Sequence, residues 1–98
     1  MIDLGKIAGF DWDSANIDKS YLKHGITPNE AEEVFADEAQ LVLEDIKHSG
    51  KEERFTIMGK STRRNILFVS FTIRQDKVRI ISARMANIRE RRLYEDKT

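Results

Sequence analysis

Val78-Arg-Ile-Ile-Ser-Ala-Arg-Met-Ala-Asn-Ile-Arg-Glu-Arg-Arg-Leu-Tyr94 is the stretch that decides how this chain folds. Its first part, Val78 to Ala83, is apolar, with Arg79 and Arg84 near its two ends. A strand this apolar predicts burial on both faces, in the middle of a sheet. Met85 and Ala86 then turn the chain into a short helix loaded with Arg89, Arg91 and Arg92. Asn87 and Glu90, three apart, have the spacing of a capping box at its start. The end of the strand and the start of the helix should hold Arg84, Asn87 and Tyr94 at the lip of the core. Cations fixed on rigid backbone suit phosphate.

Working back from that stretch, Gln75-Asp-Lys77 is a tight connection from Ile66–Ile73, the longest β-rich run. Gly59–Asn65 is a basic turn, carrying Lys60, Arg63 and Arg64. Glu53–Met58 alternates Arg54, Thr56 and Met58 with Phe55 and Ile57, which predicts one polar, open face. Gln40–Asp45 is a further strand, joined through the turn Lys47-His-Ser-Gly50. Short links between consecutive strands imply an antiparallel meander. Thr27, Pro28 and Glu30 give the clearest helix start in the chain. That helix buries Ala31, Val34 and Phe35, turns Glu30, Glu32 and Glu33 outward, and should end near Ala36. Upstream, Phe10-Asp-Trp-Asp13 suits a short edge strand. Asp13 caps a helix through about Lys23, with Ile17 and Tyr21 as its apolar stripe and Gly25 as its left-handed stop. The sum is an α+β fold in one domain, residues 1–98. Two N-terminal helices and a C-terminal helix pack on a mainly antiparallel β-sheet.

Ninety-eight residues suit one core of modest size. Cysteine is absent, which excludes a disulfide framework and a thiolate metal site and predicts a cytoplasmic location. The first residues lack the layout of a signal peptide, and no apolar run is long enough to span a membrane. The net charge of zero conceals a strong asymmetry. Residues 1–49 hold four Lys/Arg against eleven Asp/Glu, a net of −7; residues 50–98 hold thirteen against six, a net of +7. A basic half of this kind points to a polyanion or an acidic protein, or the two halves attract each other within the fold.

Several of these segments together resemble the BrnT toxins of type II toxin–antitoxin pairs. The resemblance is carried by Phe10-Asp-Trp-Asp13, Lys23-His-Gly-Ile26, Glu52-Glu-Arg54, Arg79-Ile-Ile-Ser-Ala-Arg84 and Glu90-Arg-Arg-x-Tyr94, in that order. It implies a RelE-like fold, a ribonuclease that halts translation, and a BrnA-like antitoxin that neutralises it and sets its oligomeric state. Met85 stands where many relatives carry a basic residue, and Asn87 where they carry threonine.

Metal-free RNA cleavage uses the substrate's own 2′-hydroxyl as nucleophile. The protein takes that proton, protonates the leaving 5′-oxygen and steadies charge on the phosphate. Arginine suits the last task, because it stays charged and binds two oxygens in one plane. Arg84 ranks first, with Arg54 on the neighbouring strand. Ser82 shares a strand face with Arg84, whereas Arg79 falls on the other face unless a bulge intervenes. His24 is a general acid or base, or a helix-terminal histidine bonded to backbone carbonyls. Glu53 is a base or a solvated strand-end carboxylate, His48 lies exposed in its turn, and Lys23 is a phosphate ligand. Arg89, Arg91 and Arg92 grip RNA, form a solvated face or meet the antitoxin. Tyr94 stacks on a base, or anchors the last helix together with Leu93. Trp12, Phe55, Phe68 and Phe71 read as core. No His/Asp/Glu cluster in the basic half has divalent-ligand spacing, so neither a metal nor another cofactor is expected.

Overall fold

The computed structural model describes residues 9–12, 23–44 and 53–96. Five strands form one sheet: β1 (Gly9–Trp12), β2 (Leu41–Glu44), β3 (Arg54–Lys60), β4 (Ile66–Arg74) and β5 (Lys77–Met85). Their spatial order is β1-β5-β4-β3-β2. β2 to β5 make the antiparallel meander that their connections require, while β1 lies parallel to β5. Two helices accompany the sheet among the described residues. α1 (Pro28–Glu33) runs on into a 3-10 turn at Val34–Ala36, and α2 (Ile88–Asp96) follows β5.

This corrects the expected fold of two N-terminal helices and a C-terminal helix: among the described residues one helix precedes the meander and one follows it, while three of the four strand pairings are antiparallel as expected. The sheet is mixed, because the partner of β1 is chosen by long-range packing and not by a turn. Phe10 and Trp12 stand beside Val78 and Ile80 and add their rings to the core. Sequence neighbours alone cannot reveal such a pairing. Asp13 as cap, with Ile17 and Tyr21 as stripe, lies outside the described residues, as does the 47–50 turn with His48. Of that expected first helix, Lys23 and His24 have helical backbone, and Gly25 follows at φ +70.

One face of the sheet is the core face. Ile57, Leu67, Val69, Phe71, Val78, Ile80 and Ala83 are fully buried there, against Ile26, Ala31 and Val34. Gly59 makes the closest approach. A side chain there would meet the Val34 carbonyl oxygen at 2.8 Å, so only glycine lets the 3-10 turn sit this tightly on β3.

The acidic face of α1 does not look outward as expected. Trp12 Nε1 donates to Glu32 at 2.9 Å. The Thr62 amide and hydroxyl donate to Glu33. Glu30 is 5% exposed and accepts from Ser61 Oγ and Asn65 Nδ2, both at 2.8 Å. The 61–65 turn thus takes the carboxylates that a helical wheel assigns to solvent.

β5 is not buried on both faces either. Its register against β4 shifts between Ser70 and Phe71. Ser70 stands opposite Ser82, and Phe71 opposite Ile80, which leaves Ile81 as an extra residue. This β-bulge reverses the alternation midway along the strand.

Candidate functional site

The bulge decides the site. In a regular strand Arg79 and Arg84, five residues apart, point to opposite faces. With Ile81 inserted, Arg79 lies level with Thr72, Ser82 with Ser70, and Arg84 with Phe68, so all three share the face away from the core. Three cross-strand rows result. Asp11, Arg79, Thr72 and Arg54 stand side by side across β1, β5, β4 and β3. Beside them run Ser82, Ser70 and Thr56, and then Arg84, Phe68 and Met58. Strands are about 4.8 Å apart, so neighbours in a row are within reach of one bound group.

The ends of this strip carry ion pairs. Arg79 Nη1 donates to Asp11 Oδ2 at 3.1 Å, with the arginine side chain 24% exposed. Arg84 is held more firmly. Its Nη1 and Nη2 donate to Glu90 Oε1 and Oε2, both at 2.8 Å, and Nη1 also donates to the Met85 carbonyl at 3.2 Å. The guanidinium lies 4.2 Å over the Phe68 ring, a cation–π contact. Glu90 raises the Arg84 pKa further, against the opposing effect of burial. The Arg84 hydrogen bonds in turn hold Glu90 below the usual carboxylate range, with burial opposing and the Asn87 amide assisting. The Arg84 side chain nevertheless keeps 36% of its surface exposed.

Glu90 belongs to the capping box of α2. The Asn87 amide donates to its Oε1, and its own amide donates to Asn87 Oδ1, both at 2.9 Å. Tyr94 is the buried anchor of α2, at 4% exposure, and its hydroxyl donates to Asp37 Oδ2 in a short bond. Burial and that bond push the tyrosine up to about 12. Burial also works to raise Asp37, but the Tyr94 hydroxyl and the Lys60 and Ala39 amides outweigh it and leave the carboxyl lowered. Leu93 is exposed and does not share the anchoring.

The remaining expected residues divide by place. Arg54 is partly buried on the arginine face, and Glu53, just before it, is exposed. Arg89, Arg91 and Arg92 are exposed on α2, and a shallow open hollow at its start is lined by Ala86, Asn87, Ile88, Arg89 and Arg91. Lys23 and His24 are exposed. Two residues on, Ile26 joins the core on the other side of the sheet, and among the described residues no hydrogen bond or ion pair links Lys23 or His24 to the arginines. Phe68, read as core, instead sits on the arginine face under Arg84. Asp11, Ser70, Thr72 and Glu90 escaped notice as site residues. The doublet Ile80-Ile81 is the visible signal for most of them. Without Ile81, the run from Val78 to Met85 alternates perfectly between apolar and polar.

Among the described residues no three His, Asp or Glu side chains gather as a metal-binding group, and no helix is long and apolar enough to cross a membrane. The family model described as "ribonuclease toxin, BrnT, of type II toxin-antitoxin system" matches residues 12–90. Among solved structures, the crystal structure of the Brucella abortus ribonuclease toxin BrnT is similar, with a TM-score of 0.61. The superposition covers 81% of this chain and 96% of that one at 20% identity, a likeness of fold. Comparison with curated protein sequences finds no match.

Proposed function

The chain belongs to the BrnT family of ribonuclease toxins of type II toxin–antitoxin systems, and we propose that it is an endoribonuclease that cuts RNA without a metal ion. The family implies an antitoxin partner; we take it to be BrnA-like and to govern assembly. The observation that carries the reading is the cationic strip. Arg54, Ser82 and Arg84 lie on one face of the sheet, and the bulge at Ile81 brings Arg79 to the same face.

In this reading the RNA backbone lies across β5 and β4. Arg84 meets the scissile phosphate and steadies charge on its oxygens as the 2′-oxygen attacks phosphorus. The phosphorus–5′-oxygen bond then breaks, leaving a 2′,3′-cyclic phosphate and a free 5′-hydroxyl. Ser82 donates to the same phosphate, and Arg79 and Arg54, four strand rises away, hold a phosphate farther along the backbone. Lys23, Arg89, Arg91 and Arg92 supply outer backbone contacts, each adding to the salt dependence of binding. For proton transfer the candidates are Glu53, next to Arg54, and His24, whose neighbour Ile26 packs on the opposite face of the sheet; the replacement that removes one limb of the pH–rate profile identifies which acts. Tyr94 serves by anchoring α2, not by stacking on a base, since it is buried.

Purified protein should cut RNA in the presence of EDTA and leave 2′,3′-cyclic ends. Arg84→Ala should lower the rate at least about 100-fold, the scale of one lost charge-stabilising group, with the protein still folded although less stable for the loss of the Glu90 pairing. Intact RNA after long incubation overturns the enzymatic reading. The pairing of Arg79 and Arg84 with carboxylates would then favour a module that binds RNA or an acidic partner without cutting. Full activity in the Arg84→Ala variant discards the site assignment alone.

A further inference from the structure

A guanidinium offers five N–H donors in a fixed plane, and at Arg84 their use is uneven. Nη1 spends both hydrogens, one on Glu90 Oε1 and one on the Met85 carbonyl. Nη2 spends one on Glu90 Oε2. That leaves the second Nη2 hydrogen and the Nε hydrogen, which have no partner among the described residues. These two N–H bonds are parallel and lie along one edge of the group. They are the side-on fork with which arginine grips two oxygens of a phosphate.

Three contacts fix the direction of this fork. The Glu90 carboxylate sets the plane and rotation of the guanidinium, the Met85 carbonyl fixes its near end, and the Phe68 ring supports it from one side at 4.2 Å. Glu90 is itself held at both ends, its carboxylate accepting from the Asn87 amide and its amide donating to Asn87 Oδ1, and its side chain is 15% exposed. We infer that Glu90 is a positioning residue for RNA cleavage, which occupies the end of the Arg84 guanidinium so that its Nε–Nη2 edge faces the scissile phosphate. The inference rests on the function proposed above, and it explains how an ion-paired arginine remains competent. Phosphate need not displace the carboxylate; it uses the edge the carboxylate leaves open.

The test is a cycle of Glu90→Gln, Arg84→Ala and the double variant. Two readouts are taken: RNA cleavage, and binding of a 2′-O-methyl RNA that cannot be cut. Glutamine keeps the oxygen that accepts from Asn87 and from Nη1 but puts an NH2 group in place of the Nη2 acceptor, so the helix start is preserved and the two-point grip on the guanidinium is broken. Glu90→Gln should lower kcat on the order of ten-fold, the scale of a misplaced catalytic group, and weaken binding several-fold. In the Arg84→Ala background the same change should have no effect, because Glu90 acts only through Arg84. Wild-type rate and binding in Glu90→Gln, with Arg84→Ala impaired, overturn the inference while the proposed function stands. Faster cleavage by Glu90→Gln also overturns it, since Glu90 would then be competing with phosphate. An equal loss in both backgrounds reduces Glu90 to a structural role. If wild-type protein cuts no RNA, the proposed function fails, and the binding cycle alone decides the inference: binding equal to wild type in Glu90→Gln overturns it.

Discussion

Two helix starts in this molecule carry the same short signal and use it differently. At Thr27-Pro-Asn-Glu30 the threonine hydroxyl accepts the Glu30 amide at 3.2 Å, and at Asn87-Ile-Arg-Glu90 the asparagine oxygen accepts the Glu90 amide at 2.9 Å. Here the likeness ends. Glu90 reaches back to its own cap and holds a strand arginine, whereas Glu30 turns away and buries its carboxylate against Ser61 and Asn65, more than thirty residues on. The first glutamate ties a helix to a turn and keeps the fold together. The second ties a helix to an arginine and shapes what that arginine can do. A capping-box spacing specifies the backbone bond of the first turn; the tertiary neighbour decides the fate of the carboxylate.

The comparison breaks most readily at Glu30. Glu30→Ala removes two hydrogen bonds to a charged acceptor and leaves Ser61 and Asn65 without it. It should destabilise the protein by about 3 kcal/mol, read from denaturant unfolding, while cleavage per folded molecule stays near wild type. If Glu30→Ala instead spared stability and abolished cleavage, the two glutamates would have been assigned the wrong way round.

A smaller effect concerns the second tie of α2, between Tyr94 and Asp37. Tyr94→Phe should cost on the order of 1 kcal/mol at neutral pH. Because the folded tyrosine is pushed up to about 12 from an ordinary 10.0, its contribution is complete below pH 10 and is lost as pH rises towards 12. Wild-type unfolding should show this alkaline limb, and Tyr94→Phe should lack it. Asp37 and Glu90, both lowered, act in the opposite direction. Their contributions hold above their unfolded values of 3.8 and 4.5 and fade as pH falls below them.

The smallest effect sharpens the comparison at the caps themselves. Thr27→Ala and Asn87→Ala should each cost about 1 kcal/mol or less. Asn87→Ala removes the Oδ1 bond to the Glu90 amide but keeps the amide bond to the Glu90 carboxylate, so its effect on cleavage should stay well below that of Glu90→Gln.

Much of the fold was legible because it depends on local rules. The four-strand meander follows from short connections, and the start of α1 from Thr27 and Pro28. Gly25 is a left-handed stop, with φ +70. What was not legible is long-range. The parallel pairing of β1 with β5 depends on where Phe10 and Trp12 find a core, and the three α1 carboxylates depend on a turn and an indole that approach only in the folded chain. The candidate site divides in the same way. Arg84, Ser82 and Arg54 fall on one face by simple alternation. Arg79 joins them only through Ile81, although the Ile80-Ile81 doublet marks the place. Glu90 was readable as a helix cap but not as the partner of Arg84, because that contact closes only once strand and helix have met.

The unpaired residue in β5 also makes the surface a ruler. Two arginines five positions apart stand on one side of the sheet roughly 13 Å from each other, four strand rises where five residues are spent. The main chain sets the interval between their Cα atoms, and the pairings with Asp11 and Glu90 hold each guanidinium from there. An anion with charges spaced to match can bridge the pair without distorting it, and one with a different pitch must forgo an anchor.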